Sequence, residues 1–229
     1  PGDPDELADL LSDGRFDMAL IDSYVSLCGN VFDLFHPEKP FLQTAMTVGK
    51  KKTSIASIYP LPPSGTNPLH WFHQYERDLS VSMPEATRLL TTIAPFMTQG
   101  GQGKSPSING APGLYALPIG RNLFETILIN IPLRNNDSGN GRIAWRNARI
   151  PGSVRNQATM VEALTWRPRK VRLIPEEHPD GTRVRWMGFE KGDKAEMEWI
   201  DPNLAYRYKD DKVSPVRMQE GRPVWRDAG

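Results

Sequence analysis

Apolar side chains recur at helical spacing in three stretches of the first half of the chain, which predicts three helices. Gly29 follows the first stretch and Pro132 follows the third, as is common where helices end. Ser82 and Glu85 precede the second stretch with the spacing of a capping box. We expect the apolar face of each helix to lie in the core. The three stretches are residues 16–27, 89–97 and 122–131.

The second half of the chain instead alternates apolar and basic positions. Trp166–Ile174 and Thr182–Phe189 are predicted to be two strands, and the Asp180-Gly181 pair between them is typical of a tight hairpin turn. We expect the basic side chains of this hairpin on its solvent face, where they form either a patch for a polyanion or an ordinary solvated surface. They are Arg167, Arg169, Lys170, Arg172, Arg183 and Arg185.

A polar loop at residues 134–142 joins these two parts of the chain. Residues 1–133 are helix-rich, and residues 142–229 are basic and strand-rich. Pro and Gly together make up 40 of the 229 residues, and no internal repeat is present. We therefore predict one loop-rich α+β domain over residues 1–229, with mixed helices and antiparallel strands.

Charge is distributed unevenly along the chain. The whole sequence has a formal net charge of +1, but residues 1–120 carry −4 and residues 121–229 carry +5. Residues 142–185 alone carry +6. This asymmetry is a reason to expect a polyanionic partner on one face.

Several classes of protein are excluded by composition. The chain has no run of 18 apolar residues, so we expect no membrane span, and its first residues lack the form of a signal peptide. A single cysteine, Cys28, excludes an internal disulfide and a four-cysteine zinc site, and we expect it to be a buried structural thiol. These features indicate an intracellular protein. The chain begins at Pro1, so we expect a piece of a longer one.

Motifs for catalysis are few. The sequence has no nucleophile elbow, no Walker A loop and no dinucleotide-binding fingerprint. His70, His73 and Glu76 have a spacing that could hold zinc or iron, which leaves a metal-dependent hydrolase as one alternative. The aromatic neighbours Trp71 and Phe72 fit equally well a loop that packs against something else, and we favour that interpretation over a metal site.

Three glycines and a lysine follow the second predicted helix. Gly100, Gly101 and Gly103 would let the backbone approach a ligand closely, and Lys104 adds a mobile cation. Phosphate cradles usually place glycines before a helix rather than after it, so nucleotide binding is not favoured. The order suits a loop laid against a nucleic acid, and a plain surface loop is the alternative.

Several segments, taken in order, resemble the large subunit of the type I-E CRISPR complex Cascade, the CasA family. The resemblance lies in the succession of these segments and extends over about residues 30–226. The segments are Phe32–Gln43, the Ser64–Asn67 run leading to Phe72, the Gly-Gly-Gln-Gly-Lys-Ser loop, Arg121–Asn130 and Leu164–Leu173. The resemblance implies the N-terminal domain of a larger subunit, with the family's C-terminal helical bundle lying beyond Gly229.

The resemblance also implies sites. The family's glycine loop approaches the minor groove of DNA and would be Gly100, Gly101 and Gly103, with Lys104 beside it. A lysine finger that inserts nearby would be Lys209 or Lys212, in a polar loop or hairpin tip. A loop that contacts the guide-RNA end of the complex would lie around Phe72, with Asn67 before it. The family's wedge lies beyond Gly229, and no metal or other cofactor is expected.

The function implied by the resemblance is recognition of invading DNA in antiviral defence. Such a subunit is not an enzyme: it reads the short motif beside the target while base pairing to the guide reads the sequence. Its implied partners are the other Cascade protein subunits, the guide RNA, double-stranded target DNA and a recruited helicase-nuclease, in a prokaryotic cytoplasm and without a membrane. A structural module that only assembles a ribonucleoprotein is the other alternative.

Overall fold

The computed structural model describes residues 3–59, 79–97, 106–110, 113–132, 141, 143–147, 149–210 and 212–216. Its α-helices are α1 (Pro4–Asp13), α2 (Met18–Cys28), α3 (Met83–Phe96), α4 (Leu123–Asn130) and α5 (Met160–Leu164). Its strands are β1 (Thr53–Ser54), β2 (Val81–Ser82), β3 (Val154–Arg155), β4 (Arg169–Glu176), β5 (Arg183–Lys191), β6 (Lys194–Ala195), β7 (Tyr206–Lys209) and β8 (Lys212–Pro215).

The three helices predicted from the apolar pattern are present as α2, α3 and α4. Helix α2 ends at Gly29, whose φ of 56° suits a residue without a Cβ. Asn122 caps α4 by accepting a hydrogen bond from the Glu125 N–H. The capping box predicted at α3 is wrong, because the Ser82 side chain makes no cap hydrogen bond. The Glu85 carboxylate instead accepts a hydrogen bond of 3.3 Å from the Tyr59 hydroxyl.

Two further helices were not anticipated from the apolar pattern, although the sequence carries signals for both. Asp3 caps α1 and a proline follows at its first turn, while Gly14 ends it with φ of 68°. Thr159 and Glu162 form a complete capping box at α5. Helix α1 carries Leu7, Leu10 and Leu11 at helical spacing, and α5 is only five residues long.

The central sheet is built around β5. Strand β4 pairs with it in an antiparallel hairpin, as predicted, and the short strands β1 and β2 also pair with it. The loop between β4 and β5 turns at Gly181, whose N–H donates to the His178 carbonyl and whose φ is 110°. Two smaller pairs complete the sheets: β3 with β6, in parallel, and β7 with β8, antiparallel.

A β-bulge in β5 changes which of its side chains enter the core. Ile174 pairs with Trp186 but the next residue of β4 pairs with Val184, so Arg185 is an extra residue on its strand. The bulge reverses the alternation, and both Val184 and Met187 are therefore fully buried. The regular alternation predicted for this strand is wrong for this reason.

The main core lies between this sheet and α3. Val171 and Leu173 of β4 pack with Val184 and Met187 of β5 against the apolar stripe of the helix. That stripe, with the residues that close the core beside it, comprises Ala86, Leu89, Leu90 and Ile93, together with Leu34, Ile55, Ile58 and Val81. The core role predicted for α3 is confirmed.

The core role predicted for α2 and α4 is not confirmed. Helix α2 has no buried residue, and Leu20 and Leu27 are 69% and 72% exposed. In α4 only Leu128 is buried, whereas Leu123 is 74% exposed. The prediction that Cys28 is a buried thiol is also wrong: it is a free cysteine of intermediate burial.

The described residues group into two compact units. The first unit is formed by those within 1–29, 109–140 and 198–229, and the second by those within 30–108 and 141–197. Helices and antiparallel sheets occur in the chain as expected, so the α+β fold class is confirmed. The single domain over residues 1–229 stays a prediction. Among the described residues no helix is both long and apolar enough to cross a membrane.

Candidate nucleic-acid interface

Lys209 and Lys212 face each other at the tip of the β7–β8 hairpin. They are the last residue pair of the ladder before the turn, and both are exposed. Asp210 in the turn has φ of 49°, the left-handed conformation that two-residue hairpin turns require and that aspartate tolerates. The expectation of a hairpin tip at this position is confirmed, and it presents two cations side by side.

The hairpin has two chemically different faces. Opposite residues of an antiparallel pair share a face, and side chains alternate between faces along each strand. Lys209 and Lys212 therefore lie on the same face as the pair of Arg207 and Ser214. The pair between them, Tyr208 and Val213, lies on the opposite face.

The base of the hairpin is held by buried polar side chains of the first unit. The Asn109 amide donates hydrogen bonds to the Tyr115 hydroxyl at 2.7 Å and to Asp201 Oδ2 at 2.8 Å. The Asp201 N–H in turn donates to the Tyr206 hydroxyl at 2.6 Å, which connects the network to the first residue of β7. Burial raises the pKa of both tyrosines, so both phenols stay neutral.

Backbone hydrogen bonds also fix this base. The Leu114 N–H donates to the Val216 carbonyl at 3.0 Å, and its carbonyl accepts from the Ala205 N–H at 2.8 Å. The Val216 N–H donates to the Ala205 carbonyl, which closes the hairpin just below its first ladder pair. The two lysines therefore extend from an anchored support rather than from an unstructured loop.

The other residues that the sequence offers as sites lie outside the described part of the chain. This applies to the glycine loop with Lys104 (Gly100, Gly101, Gly103), to Asn67 and Phe72, and to the metal alternative at His70, His73 and Glu76. On either side of the glycine loop, the Ser107 N–H donates to the Met97 carbonyl at 2.7 Å. Within the described ranges, no group of three or more histidine, cysteine or acidic side chains is placed to hold a metal ion.

The basic face predicted for the β4–β5 hairpin is wrong at Arg167 and Arg169, whereas Lys170 and Arg172 alternate with the buried Val171 and Leu173 as expected. Arg169 is 2% exposed, and burial lowers its pKa to about 10. Its Nη1 donates to the Pro168 carbonyl at 2.6 Å, and its guanidinium lies 5.8 Å over the Phe189 ring. Burial also lowers the pKa of Arg167, whose guanidinium donates to the Arg149 carbonyl.

Two more arginines of that hairpin are also bound within the protein. Arg172 donates to the His36 carbonyl at 3.0 Å. Arg183 donates to both the hydroxyl and the carbonyl of Ser80, each at 3.0 Å, and pairs with Asp180. The positive charge of residues 142–185 therefore serves mainly to connect elements of the second unit.

A buried carboxylate, Asp193, was not singled out by any sequence motif. Both of its oxygens bind the Arg149 guanidinium, and Oδ1 also accepts from the Gly152 and Ser153 N–H groups at 2.8 and 3.1 Å. Burial disfavours the charged form, but these four donations outweigh it and lower the pKa of Asp193. The site joins the segment before β3 to the end of β5, and its role is structural.

Two segments that carry the resemblance have clear structural roles. Gln43 is buried and bridges the Leu34 carbonyl to the Leu173 N–H, at 2.7 and 2.8 Å, so the Phe32–Gln43 segment is tied to β4. Trp166 is 2% exposed and lies beneath the Arg155 guanidinium, 5.4 Å from its ring centre. These segments therefore hold elements of the second unit together.

The comparison with known proteins supports the resemblance that these segments carry. The family model of the CRISPR-associated protein Cse1 matches residues 1–229. The CasA/Cse1 protein of Thermus thermophilus is 30% identical over 250 aligned residues, which cover 99% of this chain and 47% of that protein. The chain belongs to the Cse1 family of CRISPR-associated proteins.

Solved Cse1 structures share its fold. The crystal structure of Thermus thermophilus CasA matches with a TM-score of 0.75 and 26% identity, over 100% of this chain and 47% of that one. A chain of a CRISPR RNA-guided surveillance complex matches in fold with a TM-score of 0.71 and 23% identity, over 97% and 49%. The chain thus spans about half the length of the Cse1 proteins that it matches.

Sequence reasoning missed the residues that support the lysines of this Cse1 chain. Asn109 and Asp201 are 92 positions apart, and no local pattern connects them. A signal for the hairpin itself was present, because aromatic and basic residues alternate from Tyr206 to Lys209 before two aspartates. Counting that alternation would also have placed Tyr208 on the face opposite the lysines.

Proposed function

We propose that this chain is part of a non-catalytic DNA-recognition subunit of a type I-E Cascade complex in antiviral defence. Membership of the Cse1 family supports a role in CRISPR interference. The observation that carries DNA recognition is the exposed pair Lys209 and Lys212, held at the tip of an anchored hairpin. Two adjacent ammonium groups suit the phosphates or a groove of a duplex.

The proposed partners follow from this role. The subunit assembles with the other Cascade proteins and the guide RNA, engages double-stranded target DNA beside the paired region, and leads to recruitment of a helicase-nuclease. The glycine loop (Gly100, Gly101, Gly103) with Lys104 is proposed to approach the motif next to the target. Asn67 and Phe72 are proposed to contact the guide RNA or a neighbouring subunit. Minor-groove contacts distinguish A·T from G·C pairs and little more, so such a reader tolerates several motifs.

The test replaces both lysines, Lys209→Ala with Lys212→Ala, in the full-length protein assembled with its guide RNA and partner subunits. We expect affinity for the target duplex to fall about tenfold or more, because two contacts to phosphates are lost. Each lost phosphate contact should also lower the slope of log K against log salt by about 1. Affinity is measured by titration at several salt concentrations. The matched control is Lys51→Ala with Lys52→Ala, which removes two exposed lysines elsewhere.

Unchanged affinity and an unchanged salt slope in the Lys209 and Lys212 variant would refute the proposed site. An equal loss in the Lys51 and Lys52 control would show that only net charge matters.

A further inference from the structure

An aromatic side chain, Tyr208, is exposed near the tip of the β7–β8 hairpin. It is 73% exposed, and Val213 directly across the ladder is 43% exposed. A tyrosine of this size usually buries much of its ring when it lies in a sheet. This two-stranded hairpin therefore presents an aromatic–aliphatic pair to solvent on one face.

The position of this pair relative to the lysines is fixed by the ladder. Tyr208 and Val213 form the pair next to Lys209 and Lys212, about 3.4 Å along the strands, and point to the opposite face. The last two residue pairs of the hairpin thus carry cations on one face and an aromatic–aliphatic pair on the other. A ribbon of this kind presents cations to one wall of a nucleic-acid groove and an aromatic side chain to the other.

On the face that carries Tyr208, the side chains change from anchored at Tyr206 to exposed at Tyr208. Tyr206 precedes Tyr208 by one alternation, and its hydroxyl is hydrogen-bonded to the Asp201 N–H at the base of the hairpin. The backbone bonds between Ala205, Val216 and Leu114 keep that base closed. Tyr208 is consequently held outward by the ladder, so a ligand meets a ring whose backbone is already ordered.

We propose that Tyr208, supported by Val213, packs against the sugars and base edges of one strand of the target duplex while Lys209 and Lys212 contact the phosphates of the other. This inference rests on the proposed function, because it assigns a second contact to the same hairpin. Double-stranded DNA is favoured over a protein partner because the exposed Lys209 and Lys212 lie on the opposite face of the same ribbon, and the two acidic residues, Asp210 and Asp211, are confined to the sequence between these lysines. Apolar side chains that press against sugars and base steps are a common means by which proteins hold a duplex.

The turn explains why the sides of the ribbon, and not its apex, make the contact. Asp210 lies at the apex, and phosphates would repel its carboxylate. An approach by either flat face alone would leave the lysines or the tyrosine in water. A hairpin inserted into a groove of the duplex uses both faces and keeps its apex away from the phosphates.

The test compares Tyr208→Ala with Tyr208→Phe in the full-length protein assembled with its guide RNA and partner subunits. We expect Tyr208→Ala to weaken binding of the target duplex roughly 5- to 100-fold, the range for loss of an aromatic–nucleotide contact. Its salt slope should stay unchanged, because no cation is removed. Tyr208→Phe keeps the ring and should bind within about twofold of the parent, and Val213→Ala should show a smaller loss than Tyr208→Ala.

Hydroxyl-radical footprinting of the duplex provides the direct measurement. We expect Tyr208→Ala to lose protection of the sugars at one or two nucleotides of one strand. The Lys209 and Lys212 double variant should lose protection on the other strand. Ile119→Ala, which removes an 86% exposed aliphatic side chain from the first unit, is the matched control and should change neither footprint nor affinity.

The possible failures are distinguishable. Full affinity and an intact footprint in Tyr208→Ala, with loss in the lysine variant, would overturn the tyrosine contact and leave the proposed function standing. A silent lysine variant would overturn the DNA site itself. If Tyr208→Ala lowers incorporation of the subunit into the complex but the assembled fraction binds DNA normally, the face contacts protein and the inference is wrong.

Discussion

At the scale of single residues, the buried Asp193 carboxylate accepts four hydrogen bonds. Its charge is tolerated because the Arg149 guanidinium and two backbone N–H groups replace the water that burial removes. Removing the charge would leave these donors facing a group that accepts less well. No local motif marks this residue, so its importance comes from burial and not from the sequence around it.

Asp193→Asn should therefore destabilise the full-length protein by about 2 kcal/mol, a value reduced from that of a fully buried pair because Arg149 is one-third exposed. The matched control is Glu196→Gln, which breaks an exposed pair with Lys194 and should cost less than about 1 kcal/mol. Chemical denaturation at pH 7 measures both. Equal effects of the two substitutions would contradict the structural role of Asp193.

The pKa of Asp193 also predicts a pH dependence. Because the folded-state pKa lies below the unfolded value of about 3.9, this stabilisation is fully present above that pH and is lost as pH falls through the folded-state pKa. Denaturation curves at pH 7 and below pH 4 should show the parent losing more stability than Asp193→Asn. A parallel loss in both proteins would show that other groups control the acid response.

At the scale of elements, the β7–β8 hairpin depends on Asp201. Its Oδ2 accepts from the Asn109 amide, and its Oδ1 accepts from the Asn203 N–H at 2.9 Å. Asparagine at this position has only one accepting oxygen, so one of these donors must face an N–H₂ group. The structure therefore connects a residue that is remote from the lysines to the order of the hairpin that carries them.

Asp201→Asn should accelerate amide hydrogen exchange in β7 and β8 and weaken duplex binding several-fold, because an unsatisfied buried donor costs about 1–3 kcal/mol. The salt slope should not change, since both lysines remain. Asp180→Asn, in an exposed turn of the second unit, is the control and should leave exchange in the hairpin unaltered. Unchanged exchange in Asp201→Asn would remove the proposed support.

How far the elements could be predicted depended on whether their signals are local. Helix α2 was found because Gly29 and a periodic stripe mark it, and the β4–β5 hairpin was found through alternation and Asp180-Gly181. The bulge at Arg185 could not be read from sequence, since an extra residue leaves no local mark. The exposure of α2 also could not, because a periodic stripe shows which face is apolar but not what covers it.

At the scale of the whole molecule, net charge was an incomplete guide to the binding surface. The basic side chains of residues 142–185 are largely engaged in hydrogen bonds within the second unit, as Arg172 and Arg183 illustrate. The exposed lysines of the hairpin lie outside that stretch. Net charge identifies a nucleic-acid surface only when the basic side chains that are hydrogen-bonded within the protein are left out of the count.

Arg172→Ala with Arg183→Ala should therefore lower stability by about 1–3 kcal/mol in total while leaving the salt slope of duplex binding unchanged, because these arginines serve backbone and side-chain acceptors within the protein. Denaturation and salt titration of the assembled complex measure the two effects. A salt slope lowered by about 2 with normal stability would mean that the β4–β5 hairpin is a DNA surface after all.

The interleaving of the two units has a consequence for how the chain is made. The second unit needs no residue after 197, so it can complete its core while the following segment is still being synthesised. Helix α1 emerges before that unit but contacts α4, so residues 30–108 must be synthesised before this neighbour arrives. Helices α1 and α2, with the exposed leucines of α2, thus emerge well before the other segments of their unit are synthesised.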